Sequence, residues 1–427
     1  MTIRFLLGAL ALSMAPPLHA RPQGDEPIAV PQTIKQGVDF VYVDPELSSV
    51  ASRSQRPTNW LLRTVGLQRD RRANMPHPIF FDFAEGLQQY QASWGRLPQI
   101  KMPAGATLKP GSTGKRVELL RTRLGLPAAG GFDARLTEAV RAYQLVHGLG
   151  PADGVVGRVT IASLNRGANY YTRKIAVNME RAHRLPKTGR FGRYAIVDSG
   201  AAEVYLFNRD SWVDGMRAIV GSPKTKTPMM AVLLKNARVD PYWNVPPELI
   251  QSLTAKRVLN DGVSYLNNFH YEVLADWSPG AQLIDPKKVD WRRVAAGKSN
   301  IRVRQLPGPW NSMGEMKFET PNDFGIYLHD TPRKDLFKAT DRWISNGCVR
   351  LEDYKRFASW FFGGVPQGRS GKEEVVSLQE PVPVFMTYMT VTARGNGVQF
   401  RPDPYQLDDR AIEQMFGPGR QLAAVSL

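Results

Sequence analysis

Residues 345–351 read SNGCVRL and contain Cys348, the only cysteine among the 427 residues. Ser, Asn and Gly favour a turn before the cysteine, and Arg350 would be a poor neighbour for an apolar pocket. A reactive thiolate requires nearby positive charge or a base, together with backbone N–H groups that can receive an oxyanion. A turn at 345–348 followed by the start of a helix would supply such donors and lower the thiol pKa through the helix dipole. The stretch predicts a nucleophile; an inert, buried cysteine is the alternative.

A nucleophilic cysteine needs a base, which is most often a histidine. His329 ends the run FGIYLH (324–329), which has the pattern of a strand and lies under twenty residues before Cys348. His329 is favoured as the base by elimination. His19 lies in the predicted leader, and His77 precedes a proline in the N-terminal region. His147 lies in a helical unit, His183 in a helical connector and His270 in a long insertion. A histidine that is simply satisfied at a strand end is the alternative.

The chain opens MTIRFLLGALALSMAPPLHARPQ, with one positive residue, an apolar run over 5–15 and a small residue at Ala20. This pattern predicts a signal peptide over 1–20 and export to the periplasm or cell wall. The apolar run is about half the length of a membrane-spanning helix, and an uncleaved anchor is the alternative. One cysteine cannot form an intramolecular disulfide, so an apolar core must hold the fold together.

The formal net charge is +17. Such a field favours polyanionic surroundings, which after export are cell-wall polymer, anionic lipid headgroups or extracellular nucleic acid. The charge does not distinguish among these partners, and a basic solvated surface without a partner is the alternative.

The order of patterns along the chain predicts an α+β multidomain protein. Residues 21–100 form an N-terminal scaffold region that is extended or disordered to about Arg72 and helical after it. Residues 101–167 have apolar residues at helical spacing between glycine-rich turns, which predicts a compact three-helix unit. Residues 168–190 follow as a helical connector.

Residues 191–408 form a mostly β domain that begins with a predicted hairpin, and residues 409–427 form a C-terminal tail. Within the domain, residues 242–308 are too long for a hairpin loop and predict a sub-domain or a lid. Tyr242 and Trp243 favour a lid, and core packing of these two aromatics is the alternative.

The helical unit resembles the small peptidoglycan-binding domain of wall enzymes. The resemblance rests on GGFD (130–133), TEAVRAYQ (137–144) and the turn DGVVG (153–157), with Thr160 three residues after it. It implies wall binding; a three-helix spacer that binds nothing is the alternative.

The second resemblance is to the L,D-transpeptidases. His329-Asp330-Thr331 followed by Ser-Asn-Gly-Cys-Val-Arg is similar to their catalytic signature, and the likeness extends to VGSPKTKTP (220–228) and DPYWNVP (240–246). It covers most of residues 100–408 and is to the large periplasmic type, with a peptidoglycan-binding domain and a capping segment. Many members have histidine before Gly-Cys where this chain has Asn346.

The resemblance implies that Cys348 attacks an amide of a tetrapeptide stem and passes the acyl group, as a thioester, to an amine on a neighbouring stem. His329 would take the thiol proton, oriented by the backbone carbonyl of Asp330. The N–H groups of Gly347 and Cys348, with the Tyr327 hydroxyl, would form the oxyanion site.

The remaining turn residues, Ser345 and Asn346, would line the substrate, and Arg350 would either bind a stem carboxylate or brace the turn.

A 3→3 link is the default product. Hydrolysis by an L,D-carboxypeptidase, 1→3 links, attachment or detachment of a lipoprotein and a non-catalytic scaffold are the alternatives. We expect peptidoglycan stems as partners and no nucleic acid; peripheral contact with anionic membrane or wall polymer stays open. No cofactor is expected, and no metal, because no ligand spacing such as HExxH occurs.

Overall fold

The computed structural model describes residues 40–47, 75–368, 372–393 and 397–417, so the predicted signal peptide lies outside the described residues. The helices are α1 Pro78–Ala92, α2 Lys115–Arg123, α3 Ala134–Val146, α4 Arg158–His183, α5 Pro247–Leu249, α6 Ala255–Asp261, α7 Ser264–Asn268, α8 Trp291–Ala295, α9 Tyr354–Phe362 and α10 Asp408–Phe416. The strands are β1 Tyr42–Val43, β2 Arg193–Asp198, β3 Glu203–Asn208, β4 Ser211–Gly221, β5 Met230–Val239, β6 Trp243–Asn244, β7 Tyr271–Leu274, β8 Arg302–Gln305, β9 Met316–Glu319, β10 Leu328–His329, β11 Trp343–Ser345, β12 Val349–Leu351, β13 Glu374–Thr387, β14 Val391–Ala393 and β15 Val398–Phe400.

The β domain over residues 191–408 is built on a sheet that closes on itself. Its strands follow the order β1-β5-β13-β2-β3-β4-β12-β10-β9, and β9 pairs back onto β5. The closing pair is antiparallel and joins the last residue of β5, Val239, to the first residue of β9, Met316. The short strand β10 has β12 on one side and β9 on the other, and closure gives β9 its second neighbour, β5.

Side-chain alternation along the strands gives the sheet two apolar faces. On β2, Ala195 and Val197 enter the core inside the closed sheet, whereas Tyr194 and Ile196 enter a second core outside it. Helices α1 and α4 cover this second core, and α9 packs on the first. The predicted hairpin over 193–208 forms as β2 and β3.

The three-helix unit consists of α2, α3 and the first part of α4 around its own core. Asp133 caps α3 by accepting a hydrogen bond from Leu136 N–H, as expected for an N-cap carboxylate. Gly167 has φ 75° and bends α4 where the unit ends. The predicted connector is therefore a continuation of the third helix and packs against the closed sheet.

Residues 242–308 form a small unit with a core of their own and a three-stranded sheet in the order β6-β8-β7. Trp243 packs at this core, and the Arg304 guanidinium lies 4.4 Å from the centre of the Tyr242 ring. Both aromatics therefore hold the insertion together, which is the core-packing alternative.

The C-terminal part differs from the predicted tail, because residues 408–416 form α10 on the side of α4. Asp408 is buried there and pairs with Arg181 at 2.7 Å and with Lys174 at 3.0 Å. Ala411 and Ile412 of this helix pack against Val177 of α4, and the buried Asp408 anchors its first turn. In the described part of the chain, every helix is too short or too polar to cross a membrane.

Candidate active site

His329 ends strand β10, and Cys348 directly precedes β12, the parallel neighbour of β10. The register pairs Leu328 of β10 with Val349 of β12, and both side chains are fully buried inside the closed sheet. Because side chains alternate along a strand, His329 and Cys348, the neighbours of this pair, lie on the other face. The topology therefore brings the predicted base and the predicted nucleophile to one surface.

His329 is fixed by a hydrogen bond of 2.5 Å between its Nδ1 and the carbonyl oxygen of Asp330. A carbonyl can only accept, so Nδ1 carries the proton and Nε2 has the free lone pair. Burial lowers the pKa of His329 to about 3, the cations Arg350 and Lys317 lower it further, and the carbonyls of Asp330 and Met313 oppose the shift. The imidazole is neutral at pH 7 and can accept a proton at Nε2.

The Cys348 thiol is partly exposed at the residue level, and its Sγ donates a weak hydrogen bond of 3.7 Å to the Gly325 carbonyl. Burial raises its pKa, while the backbone N–H of Tyr327 and the cations Lys317 and Arg350 act in the opposite direction. The predicted helix dipole is wrong: Cys348 is followed by strand β12, and the next helix begins at Tyr354. The resting pair is a neutral thiol beside a neutral imidazole.

The turn before the nucleophile is closed by Ser345. Its hydroxyl donates to the Cys348 carbonyl at 2.6 Å and accepts from the Gly347 N–H at 3.1 Å. The Gly347 N–H, which was predicted as an oxyanion donor, is thus bound by Ser345 in the resting turn. Among the described residues, no acceptor takes the Cys348 N–H, so it is the turn donor that remains. Gly347 has φ 116°, which a side chain would disfavour.

The loop after β4 braces this turn from outside. The Thr225 hydroxyl donates to the Ser345 carbonyl at 2.9 Å, and the Thr227 hydroxyl donates to the Gly347 carbonyl at 2.6 Å. The sequence marked residues 220–228 only by resemblance, and it gave these two threonines no role. Their contacts cross 120 residues of chain, so no local pattern indicates them.

Two cations flank His329 in the register of the sheet. Arg350 is its partner on β12, and Lys317 is its partner on β9. Lys317 is only 3% exposed, and its Nζ lies 4.0 Å from the centre of the Tyr327 ring. Sequence reasoning missed Lys317, because a lysine in a strand pattern normally indicates a solvated face.

The Arg350 guanidinium is largely removed from water, and burial lowers its pKa. Its Nε is buried without a hydrogen-bond partner, and no carboxylate of the described residues forms an ion pair with it. The alternative in which Arg350 braces the turn through an ion pair therefore finds no support. An unneutralised guanidinium beside a thiol is suited to a substrate anion.

The Asp330 carboxylate points away from the imidazole. It accepts from Lys334 Nζ at 2.6 Å and from Glu315 N–H at 2.9 Å. Gly314 lies so close that a Cβ there would be 2.2 Å from Asp330 Oδ2. The side chain thus fixes the backbone whose carbonyl holds His329, and it adds no anion to the base.

The remaining predicted site residues divide into two groups. Tyr327 lies on the same face as Cys348, and its carbonyl oxygen accepts a hydrogen bond of 2.9 Å from the Val349 N–H. Asn346 is exposed at the tip of the turn. Tyr242 and Trp243 are fixed within the insertion by Arg304 and Tyr271, and they are not part of the cluster around Cys348.

Comparison with known families agrees with this geometry. Residues 192–384 match the family model described as "L,D-transpeptidase catalytic domain". This part of the chain is similar to the catalytic domains of L,D-transpeptidases. Residues 117–164 match the model described as "Putative peptidoglycan binding domain". The mixed α+β architecture predicted from the sequence, with a β-rich L,D-transpeptidase domain and a helical peptidoglycan-binding-like unit, is confirmed.

A curated relative from Haemophilus influenzae, named "Putative L,D-transpeptidase", is 29% identical over 245 residues. The match covers 56% of this chain and 48% of the relative, so the chain spans about half the length of that protein. Among solved structures, an L,D-transpeptidase from Mycobacterium smegmatis is 14% identical, with 46% of this chain and 58% of that chain covered and a TM-score of 0.23. One from Stackebrandtia nassauensis is 13% identical, with 70% and 97% covered and a TM-score of 0.21.

Proposed function

We propose that this protein is an exported acyltransferase that joins peptide stems of peptidoglycan through a thioester on Cys348. One observation carries the proposal: the only cysteine of the chain shares a sheet face with a buried histidine whose tautomer is fixed for accepting a proton. The cations that flank this histidine suit a substrate that carries carboxylates.

In the acylation step, Nε2 of His329 takes the thiol proton as Sγ of Cys348 attacks the carbonyl carbon of the stem amide. The C–N bond then breaks, and the imidazolium returns the proton to the departing amine of the terminal D-residue. The imidazolium is short-lived because Lys317 and Arg350 disfavour a third positive charge there. His329 therefore transfers the proton from the thiol to the leaving amine without accumulating as an imidazolium.

In the transfer step, the acceptor amine attacks the thioester carbonyl, and His329 takes a proton from the amine. The C–S bond breaks, and the sulfur leaves as a thiolate that recovers the proton from the imidazolium. The Cys348 N–H is the backbone donor for the oxyanion in both steps, and the positive charges of Lys317 and Arg350 stabilise the same developing charge.

Arg350 is the residue that we assign to a carboxylate of the stem. Its guanidinium lies in register with His329, has no protein anion among the described residues and carries a buried Nε. A bound carboxylate would complete the hydrogen bonds of this group, which is costly to leave buried and unpaired. The carboxylate would also place the scissile amide against Sγ.

The default product is a 3→3 cross-link between diamino acids. The same thioester would give an L,D-carboxypeptidase if water were the acceptor, a 1→3 link with a different donor, or lipoprotein attachment or detachment with a protein amine. The cluster of Cys348, His329 and Arg350 serves all of these reactions equally, because they share the acyl-enzyme. A non-catalytic scaffold is disfavoured, because it gives no reason for an oriented histidine beside the only thiol.

The helical unit would hold the wall polymer close to this site, and its match to the peptidoglycan-binding model supports that role. Export to the periplasm follows from the same substrate, since peptidoglycan lies outside the cytoplasmic membrane. The basic charge of +17 would favour this anionic polymer.

The test incubates the full chain with purified disaccharide-tetrapeptide and identifies the products by mass spectrometry. A cross-linked dimer that has lost one terminal D-residue supports transfer, whereas a tripeptide monomer alone shows hydrolysis. Cys348→Ala should abolish both products and the covalent adduct with a carbapenem. Product formation by Cys348→Ala would overturn the assignment of the nucleophile.

A further inference from the structure

The residues behind the catalytic turn form a hydrogen-bonded chain that ends outside the matched domain. The Thr227 hydroxyl, which holds the Gly347 carbonyl, also accepts from Gly221 N–H at 2.9 Å. The N–H of Thr227 donates to the hydroxyl of Tyr405 at 3.2 Å, and that hydroxyl donates to the Gly221 carbonyl at 2.7 Å. One phenol therefore fixes both ends of the loop that holds the turn.

The contact on Gly347 matters because of peptide geometry. The carbonyl of Gly347 and the N–H of Cys348 belong to the same planar trans peptide and point in opposite directions. A hydroxyl that holds the carbonyl on one side consequently aims the N–H toward the other side. That N–H is the turn donor that remains for an oxyanion, because Gly347 N–H is bound by Ser345.

Tyr405 is itself held firmly. Its side chain is 2% exposed and stacks on Tyr388 with ring centres 4.9 Å apart. Its backbone N–H donates to the Tyr388 hydroxyl at 3.0 Å, and that hydroxyl donates to Asp403. Asp403 in turn accepts from the N–H of Asp408, the residue that pairs with Arg181 and Lys174 of α4.

The match to the catalytic-domain model ends at residue 384, so Tyr388, Asp403, Tyr405 and Asp408 all lie beyond it. Helix α4 begins inside the three-helix unit and carries the two cations that bind Asp408. The support for the catalytic turn thus comes from a C-terminal segment and a helix that the unit shares with the catalytic domain.

We propose that Tyr405 is a positioning residue for the reaction, acting through Thr227 to aim the Cys348 N–H at the oxyanion. The proposal rests on the proposed function, because it needs Cys348 to form an acyl-enzyme. Tyr405 touches no reacting atom. Its effect is therefore on the acylation rate constant and not on the affinity for the acylating compound.

The test compares two tyrosines, Tyr405 and Tyr194, that are both buried, stacked on another aromatic ring and hydrogen-bonded through the hydroxyl, but lie in different parts of the β domain. Tyr405→Phe removes the hydroxyl and keeps the stack on Tyr388. Tyr194→Phe removes an equally buried hydroxyl, which bonds to His77 Nε2 at 2.8 Å in a stack with Phe207, far along the sheet from the turn. Tyr405→Phe loses two buried hydrogen bonds, one from the Thr227 N–H and one to the Gly221 carbonyl, whereas Tyr194→Phe loses one, so both variants should lose stability and Tyr405→Phe somewhat more.

The measurement is the rate of carbapenem acylation of the full chain, followed by mass spectrometry over a range of carbapenem concentrations. Tyr405→Phe should lower the limiting acylation rate about tenfold, with little change in the half-saturating concentration, because about 1.4 kcal/mol of transition-state stabilisation is a factor of ten. Tyr194→Phe should acylate at the wild-type rate. Thr227→Val should behave like Tyr405→Phe, and Thr227→Ser should restore the rate.

Three results would overturn the proposal: a wild-type rate for Tyr405→Phe, equal slowing by Tyr194→Phe, or full additivity of Tyr405→Phe and Thr227→Val. Additivity would mean that the two residues act separately. An unacylated wild-type protein would instead contradict the proposed function, so the two failures are distinguishable.

Discussion

Two buried histidines in this molecule look alike and do different things. His147 of the helical unit and His329 of the catalytic domain each bond through Nδ1 to a backbone carbonyl, at 2.7 Å to Tyr143 and at 2.5 Å to Asp330. Burial lowers the pKa of each to about 3. Both rings are therefore neutral at pH 7 and in the same tautomer.

The other nitrogen makes the difference. Nε2 of His147 bonds to the Tyr90 hydroxyl at 3.1 Å, and the ring stacks between Tyr143 and Phe400 where the helical unit meets the catalytic domain. His329 has Cys348 on its face of the sheet and a cation on each side in the register. A shifted pKa thus does not identify a catalytic histidine; the group that its second nitrogen faces does.

The largest expected effect follows from exchanging each histidine for glutamine. His329→Gln should slow carbapenem acylation by about 10³-fold, because general-base catalysis contributes about 10²–10⁴-fold. His147→Gln should leave the acylation rate of the folded protein unchanged. Mass spectrometry of the adduct against time gives both rates. Slowing by His147→Gln of comparable size would mean that the helical unit controls the chemistry, and the contrast between the two rings would be lost.

The stability of the two variants should differ in the opposite sense when the rings are removed. His147→Ala should lower the free energy of unfolding by about 3 kcal/mol, because it empties an aromatic cluster and leaves the Tyr90 hydroxyl without its partner. His329→Ala should cost less, because the ring is bound to backbone carbonyls and no aromatic stack is lost. Urea unfolding followed by tryptophan fluorescence measures both. Equal losses would show that His329 is as much a packing residue as His147.

Arg350 should matter to the substrate more than to the fold. Arg350→Met should raise the KM for a tetrapeptide stem about 30-fold, since hydrogen bonds to charged groups contribute about 1.5–3 kcal/mol. Arg350→Lys should recover part of the loss, because lysine keeps the charge without the planar fork. Steady-state kinetics with the soluble stem measures this. The carboxylate assignment would not survive an Arg350→Met variant with the wild-type KM.

The smallest difference between the two histidines is in the pH dependence of stability, where they should behave alike. Burial lowers the pKa of His77, His147 and His329 to about 3. A folded-state pKa below the unfolded value gives stability that is complete above about pH 6.5 and is lost as the pH falls toward 3, by about 1.4 kcal/mol per pH unit and histidine. Asp198, whose pKa burial raises to about 6, acts in the opposite direction, but three groups outweigh one.

The measurement is urea unfolding at pH 7, 6 and 5. The wild type should lose stability at each step. The slope of the unfolding free energy against pH gives the number of protons taken up on unfolding, and this number should be smaller by one in His147→Gln and in His329→Gln. A slope that neither variant changes would mean that these rings already bind protons in the folded protein.

The sequence predicted the chemistry of the site better than its construction. Cys348 and His329 were predicted from motif, strand pattern and elimination, whereas the contact of His329 with the Asp330 carbonyl was implied only by the family resemblance. The strand after the turn was mistaken for a helix, because Val349–Leu351 is too short to show alternation and the helical pattern from Tyr354 extends back over it.

The residues that brace the site could not be predicted. Thr227 meets Gly347 across 120 positions and Tyr405 meets Gly221 across 184, so these contacts exist only once the sheet has closed. Lys317 was hidden for the same reason, since its neighbour His329 is set by the register of β9 and β10. Local patterns specify elements and reactive groups, whereas the supports of a catalytic turn depend on tertiary contacts.

The closing pair of the sheet has a further consequence for the architecture. Val239 and Met316 face each other on antiparallel strands, so the whole of residues 242–308 enters and leaves between two neighbouring backbones, about 5 Å apart. In topological terms the insertion is an enlarged hairpin loop. A domain attached in this way is modular: it can be exchanged, shortened or replaced by a tight turn while the turn that carries Cys348 and the strand that carries His329 keep their partners.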